Sequence, residues 1–505
     1  MIRKILIANR GEIAVRIIRA CKEMGITTVA VYSEADRTAL HVRYADEAYL
    51  IGPSPSNESY LVIDNIIDAA KKSNADAIHP GYGFLSENAV FSDRVKKEGI
   101  IFIGPSAYSI KTMGDKISAR QCMTEAGVPV VPGTKENIPD VKLLKKTANE
   151  IGLPVMIKAS AGGGGKGMRL VQKEDELTDA LRAAKSEALA AFGDDSVYIE
   201  KYIQSPHHIE FQILADQHGD ILHLCERECS VQRRHQKVVE ETPSPLVTPE
   251  LRDEMGKYAV AAAKAAKYEG AGTIEFLVDD DLNYYFLEMN TRLQVEHPVT
   301  ELILGIDLVK EQIKIAEGNK ISWSQSEIIQ NGHAIECRVY AEDADNNFMP
   351  SPGLVQKNIE PMGFGVRCDG YVYEGFEIPI YYDPLISKLI TWGKTRKEAI
   401  ERMKRALRDY SIMGIKTSLN FLHRIMETPD FYLGKYNTHF IEKNKDFLFT
   451  HGLEKNEAKR IEDLAMITAF LEYNTQLTNG NNIPLVAQNN QWKDFGRKKG
   501  VQQRL

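Results

Sequence analysis

Apolar and polar positions in residues 1 to about 113 alternate between two periods. Lys4 to Ala8 is a short apolar run of the kind buried on both faces of a sheet. Ile13, Ile17 and Cys21 then fall on one stripe of an amphipathic helix running to about Met24. Thr28–Tyr32 predicts a second strand, and further units end in Ala77–His79 and Ile100–Ile103, each followed by Pro or Gly. Strands separated by helical segments imply a parallel sheet of doubly wound type. The first strand-to-helix turn, Asn9-Arg10-Gly11-Glu12, holds one glycine, so the dinucleotide fingerprint is absent. The loop His79–Asn88 lies at a strand's carboxyl end, where such sheets place ligands; the local pattern leaves loop structure and ligand contact equally open.

From residue 114 to about 330 the pattern turns to strands. Gly114-Asp115-Lys116 precedes a helix through Ala126. Pro154–Lys158 and Met168–Gln172 read as strands flanking a loop with five glycines in six residues, Gly162 to Gly167. The spacing of Gly162, Gly164 and Gly167 fits G-x-G-x-x-G, but the loop joins two strands and opens no helix, which excludes a Rossmann turn. A Walker loop fails too, with Ser160 at its first glycine position and Gly167 after the lysine. Ordering so many glycines costs too much entropy for a plain hairpin tip. The loop reads instead as a lid laying backbone N–H groups over phosphates, with Lys158 and Lys166 adding charge. Val197–Ile203, Ile209–Ala215 and Ile221–Cys225 are further strands. The run Glu226–Glu241 is dense in titratable groups, ordinarily the mark of a charged surface segment, and spacing assigns no roles to Gln232, His235 and Lys237.

The densest pattern is Tyr284–His297. Glu288, Asn290, Arg292, Gln294 and Glu296 occupy every second position and would share one face of an extended segment. Thr273–Val278 reads as its partner strand, and a hairpin centred between Asp281 and Leu282 sets Glu275 across from Glu288. Two carboxylates about 5 Å apart repel by roughly 3 kcal/mol at an effective dielectric near 20. They therefore call for a cation, and Glu275, Glu288 and the Asn290 amide oxygen suit Mg²⁺ or Mn²⁺. The alternative is a solvated sheet face, but apolar runs flank both glutamates.

Beyond residue 331, Gly332–Tyr340 reads as a strand with Glu336 and Arg338 on one face, and Arg396–Leu407 as a helix with an apolar stripe. Lys459–Tyr473 predicts an amphipathic helix, with Ile461, Leu464, Ile467 or Thr468, and Leu471 on one side. Asn474–Leu505 is rich in Asn, Gln and Gly and predicts a tail that is disordered or ordered only by a partner.

Composition narrows the class. A chain of 505 residues, 43% hydrophobic and 26% charged, suits a soluble globular protein of two to four subdomains. Its formal charge of −7 predicts no nucleic-acid partner. Six scattered cysteines without a C-x₂-C pair read as reduced thiols. No apolar run reaches membrane-spanning length and no signal-peptide core is found, so a cytoplasmic protein is expected.

Asn9–Glu12, His79–Asn88, Ala161–Met168, Gln232–Glu240 and Glu288–Pro298 together resemble the biotin carboxylase subunit of biotin-dependent carboxylases, over roughly residues 1–445. The resemblance implies an α/β fold: a Rossmann-like N-terminal domain (1–113), an ATP-grasp domain (114–330) with a mobile lid at about 132–203, a C-terminal domain (331–446) and an extension (447–505). It implies ATP- and bicarbonate-dependent carboxylation of biotin through carboxyphosphate. On this resemblance Lys116, Lys158, Gly163, Gly164, Gly165, Glu200, Lys201, Ile203, His208, Gln232, His235, Glu275 and Glu288 contact ATP. Glu275, Glu288 and Asn290 hold the metal. Lys237, Arg292, Gln294, Val295 and Glu296 form the bicarbonate pocket, with Glu296 as base. Arg338, with Tyr82, meets biotin; on sequence alone a structural salt bridge is the other reading for Arg338. No Met-Lys-Met triplet is present, so separate chains are expected for the biotin carboxyl carrier protein and the carboxyltransferase subunit, and a homodimer is expected. The helix near residue 459 is expected to dock a partner protein of that assembly. Two other classes fit some of these features: an ATP-grasp ligase acting on another carboxylate, and a nucleotide-sensing regulator without turnover. Glu296 with Arg338 speaks against the first, and the intact Glu275, Glu288, Asn290 and Glu296 against the second.

Overall fold

The apolar run Lys4–Ile7 (β1) is followed by helix Gly11–Glu23 (α1) and by strands Thr27–Tyr32 (β2), Glu47–Leu50 (β3), Ala77–His79 (β4) and Ile101–Phe102 (β5). These strands form a parallel sheet in the order β3-β2-β1-β4-β5. Ile5, Leu6, Ile7, Val29, Ala30 and Val31 are fully buried, as a sheet covered on both faces requires. The direction of winding reverses between β1 and β4, so the turns after these two strands flank a crevice. Asn9 closes that crevice by donating to the carbonyls of Pro80 and Tyr82, both at 2.7 Å. Gly81 must be glycine there: its φ is +64° and a Cβ would lie 3.0 Å from Asn9 Nδ2.

The computed structural model describes residues 1–134, 137–160, 167–449 and 463–472. Helix Lys116–Glu125 (α2) leads to a small unit built from helix Val141–Ile151 (α3), strands Val155–Ala159 (β6) and Met168–Val171 (β7), helix Leu177–Phe192 (α4) and strand Val197–Lys201 (β8). Its sheet runs β7-β6-β8 and has its own core of Leu144, Ile157, Leu181 and Ile199.

The largest sheet has eight strands. His207–Ala215 (β9), Ile221–Arg233 (β10), Gln236–Thr242 (β11), Gly270–Val278 (β12) and Tyr284–Asn290 (β13) pair antiparallel. After helix His297–Leu304 (α5), strands His333–Tyr340 (β14), Val366–Gly370 (β15) and Leu385–Gly393 (β16) join the same sheet, giving the order β13-β12-β9-β10-β11-β14-β16-β15. The sheet is therefore continuous across residue 330. Helix Arg396–Asp409 (α6) covers it with Ala399, Ile400, Met403, Ala406 and Leu407, spaced as one helical stripe.

Two expectations are corrected. The charged run from Glu226 is no surface segment: β10 continues through it to Arg233, and Glu226, Arg227, Glu228, Ser230, Glu240 and Glu241 are buried. A register shift between His223 and Glu226, with Cys225 at φ +63°, re-aims the strand there. The second correction concerns Tyr284–Glu296, which is not extended throughout. Its ladder ends at Asn290, where Thr291 N–H turns to Glu87 at 3.0 Å, and Pro298 opens α5 soon after. Residues 463–472 are helical, within the expected Lys459–Tyr473 element, and expose Leu464, Met466, Ile467 and Phe470. The glycine lid with Gly163, Gly164 and Gly165, and the polar tail, lie outside the described residues.

Candidate active site

In the β12–β13 hairpin Glu275 stands directly opposite Glu288, and Thr273 opposite Asn290. Directly opposed residues carry their side chains on the same face. Burial and then the charge of Glu275 push the Glu288 carboxyl up. Among the described residues Glu288 has no hydrogen-bond donor, so its charge has no hydrogen-bonded compensation. A hard divalent cation fits this set of two carboxylates and the Asn290 amide oxygen.

Glu288 and Asn290 line a cavity of about 330 Å³ with Lys116, Arg120, Lys158, Tyr198 and Glu200. Lys116 comes from the first turn of α2 and Lys158 from β6. Burial lowers the Lys116 ammonium, and Glu288 pulls it back. Lys158 is ion-paired with Glu200. Two half-buried ammonium groups among acids that can exchange partners suit a polyphosphate with its metal.

Beside this cavity the acids gather around Lys237. Its Nζ donates to Glu210 at 2.5 Å, Glu275 at 2.9 Å and Glu296 at 2.6 Å. Glu275 also accepts from Asn290 Nδ2 at 2.9 Å and Gln294 Nε2 at 3.0 Å, and its other oxygen pairs with His208 Nε2 at 2.8 Å. His208 Nδ1 is 2.7 Å from Gln232 Nε2. Arg292 spans the turn after β13, donating to Asn290 at 2.9 Å, Gln294 at 2.7 Å and Glu87 at 2.9 Å. Glu296 Oε2 accepts from Arg338 at 2.8 Å, and Arg338 also donates to Glu240 at 2.6 Å. Burial opposes the charge on Glu296, but Lys237, Arg338 and Arg227 hold its carboxyl well below the usual range. Glu240 behaves in the opposite way: burial outweighs Arg338, the Glu296 charge adds to it, and its carboxyl rises to about 7.

Arg338, Arg292 and Val295 also face a second cavity of about 500 Å³, walled by Asn9, Tyr82, Phe84, Tyr371, Tyr382 and Leu385. Its aromatic walls and cationic end suit a flat neutral ring that acquires negative charge on reaction. Glu296 is thus tied through Arg338 to the aromatic cavity and through Lys237 to Glu275, which stands opposite Glu288 of the first cavity.

The biotin carboxylase N-terminal domain family matches residues 1–110 and the C-terminal domain family residues 336–443. The ATP-binding domain of the carbamoyl-phosphate synthase L chain matches residues 115–323. A pyruvate carboxylase subunit of Methanothermobacter thermautotrophicus is 53% identical over 468 residues, 92% of this chain and 94% of that protein. Biotin carboxylase 1 of Bacillus subtilis is 55% identical over 443 residues, 88% of this chain and 98% of that protein. The chain belongs to the biotin carboxylase family.

Membership makes it an ATP-dependent ligase. Solved biotin carboxylases superpose closely. The biotin carboxylase domain dimer of 2-oxoglutarate carboxylase from Hydrogenobacter thermophilus, in complex with MgADP, ADP and bicarbonate, gives a TM-score of 0.85 at 50% identity, over 89% of this chain and 99% of that one. A biotin carboxylase–βγ-ATP complex from Campylobacter jejuni gives 0.85 at 51% identity, over 88% and 99%.

Several residues expected to contact ATP do not line the first cavity. Alternation along β8 turns Tyr198 and Glu200 into the first cavity and Lys201 away from it, where its Nζ donates to the Gly152 and Leu153 carbonyls at 3.0 and 3.1 Å. Ile203 is half-buried in the connection after β8, and His235 is exposed at the β10–β11 turn with φ +67°. Among the described residues, neither these nor Gln232 line that cavity. Conversely, sequence reasoning gave no role to Glu210, Arg227, Glu240 or Glu87. Arg227, fully buried, donates to Glu210 at 2.5 Å, Gln212 at 2.7 Å, Thr300 at 3.0 Å and Thr273 at 3.1 Å. The one available signal was that Ile221–Leu224 and Val238–Val239 flank this charged run with no Gly or Pro between.

Proposed function

We propose that this chain carboxylates biotin carried on a separate protein, using ATP and bicarbonate through carboxyphosphate, as the first half-reaction of an acetyl-CoA carboxylase in the cytoplasm. One observation carries the reading: Glu296 is held between Lys237 on the polyphosphate side and Arg338 at the aromatic cavity. Bicarbonate is a weak nucleophile and needs both a base and neutralising cations. With both oxygens tied to cations, Glu296 cannot take a proton in the resting site. An anion entering beside Arg292 and Gln294 competes for Lys237 and Arg338, which frees Glu296 to accept the bicarbonate proton. The freed oxygen attacks the γ-phosphorus and ADP leaves. Lys116 and Lys158 balance the phosphate charge. Mg²⁺ or Mn²⁺ held by Glu275, Glu288 and Asn290 would neutralise the transferring phosphoryl group. Carboxyphosphate then separates into CO₂ and phosphate, the phosphate removes the ureido proton, and the biotin nitrogen attacks CO₂ with Tyr82 and Arg338 around the ring.

A second reading is the biotin carboxylase chain of a two-subunit pyruvate carboxylase, supported by the 53% identity to the Methanothermobacter subunit over 94% of that protein. We further propose that two copies of the chain associate through the segment bearing Met362 and Phe364, which are 81% and 77% exposed. The helix at 463–472, with its exposed apolar residues, remains the proposed contact for a partner protein of the holoenzyme. Bicarbonate-dependent ATP cleavage stimulated by free biotin tests the activity; cleavage indifferent to both compounds overturns it. The carboxyltransferase that co-purifies with the chain decides the acceptor.

A further inference from the structure

Lys388 on β16 is fully buried and takes no part in the chemistry described so far. In the sheet it stands directly opposite Arg338 on β14, so the two cations share one face. They hold consecutive residues of the turn that leads into α5: Lys388 Nζ donates to the Val295 carbonyl at 2.9 Å, and Arg338 donates to Glu296 at 2.8 Å. Groups of both charges surround Lys388. Glu12 on α1 lies 3.3 Å away, with both oxygens buried and free of hydrogen bonds. Glu336, one position pair along β14, is also buried without a donor, and Asp369 stands opposite on β15, occupied by Arg367 at 2.6 Å. The Tyr82 ring centroid is 5.8 Å from the ammonium.

Neutralising Glu12 alone would not require a bond to Val295. An ammonium that spends a 2.9 Å hydrogen bond on this carbonyl restrains the turn itself. Arg292, Gln294 and Glu296 all project from that turn, which has left the β13 ladder and so has no strand neighbour to fix it.

Resting on the bicarbonate site proposed above, we propose that Lys388 is a positioning residue for that site: with Arg338 it pins residues 295 and 296, so that Arg292, Gln294 and Glu296 meet the anion already aligned. It touches neither bicarbonate nor nucleotide. Its loss therefore moves bicarbonate affinity and leaves ATP affinity in place.

Lys388→Met alone would strand Glu12 and can fail to fold, so the comparison is Glu12→Gln against Glu12→Gln/Lys388→Met, in the full-length chain with MgATP. Melting temperatures within a few degrees of each other establish that both fold. The expected result is a bicarbonate KM raised about tenfold or more in the double variant relative to Glu12→Gln, with the ATP KM changed less than twofold. Equal bicarbonate KM values overturn the positioning role while wild-type bicarbonate-dependent cleavage still stands. A uniform loss of kcat with both KM values unchanged also overturns it, by showing only a structural part. Absence of bicarbonate-dependent cleavage in the wild type removes the underlying site reading instead.

Discussion

A single ammonium, Lys237 Nζ, joins three carboxylates from three elements of the site, Glu210, Glu275 and Glu296. From the sequence, Glu275 and Glu288 were a pair in need of a cation, and the opposition is there in the register. The centre of a turn and equal spacing from it were enough to place them. What spacing could not show is that Glu275 is also neutralised from another strand, by the same ammonium that meets Glu210 and Glu296. Such a knot is long-range and leaves no local pattern. Glu296→Gln keeps the shape but removes the proposed base, so bicarbonate-dependent phosphate release should fall about 10²–10⁴-fold. ATP affinity by equilibrium binding should stay within about threefold, since Glu296 does not line the nucleotide cavity. Arg338→Gln should separate the half-reactions. Carboxybiotin formation, followed with labelled bicarbonate, should drop about 100-fold or more, while bicarbonate-dependent ATP cleavage persists at a larger fraction of wild type. Glu240, with its carboxyl already near 7, absorbs the loss of its partner by taking a proton.

Among the elements, β10 and β11 depart most from what their residues suggest. A run of glutamates and arginines in an extended segment looks solvated, because hydropathy counts each charge without its partner. Here the partners arrive from β9, β14 and α6, as Arg227, Glu240 and Glu241 show. Glu241 illustrates how such pairing joins elements. It accepts from Arg396 at 2.6 and 2.9 Å and from His333 at 2.6 Å, and Tyr436 also reaches it. Burial alone would raise its carboxyl, but Arg396 and His333 win and hold it from an ordinary 4.5 down to about 2. A depressed carboxyl stabilises the fold above its unfolded value and loses that contribution as pH falls through the folded one. The displacement corresponds to about 3 kcal/mol. Urea unfolding at pH 7 should therefore show Glu241→Gln weaker than wild type by about that order. The difference should shrink steadily between pH 4.5 and pH 2. A gap that stays constant over this range would assign the loss to packing.

For the whole molecule, the parallel sheet was legible because β1, β2 and β5 lie in apolar runs set between helices, whereas β3, Glu47–Leu50, alternates in exposure and carries no such run. The continuity of the eight-stranded sheet past residue 330 was not legible, since the pairing of β11 with β14 is long-range and leaves no local pattern. The proposed pairing of two copies gives a further test: Phe364→Asp should shift the light-scattering mass toward that of one chain at micromolar concentration. Removing an aromatic anchor at the centre of an interface costs about 2 kcal/mol or more.

The shared sheet also bears on how a fleeting intermediate is kept. Lys237 lies on β11 and Arg338 on β14, and these strands are immediate neighbours, about 4.8 Å apart. In the proposed reaction, carbon dioxide released beside one would reach the other within a single hydrogen-bonded sheet. The donor and recipient ends of that hand-off cannot drift apart as two lobes would, so leakage to bulk water depends on what covers the sheet's face.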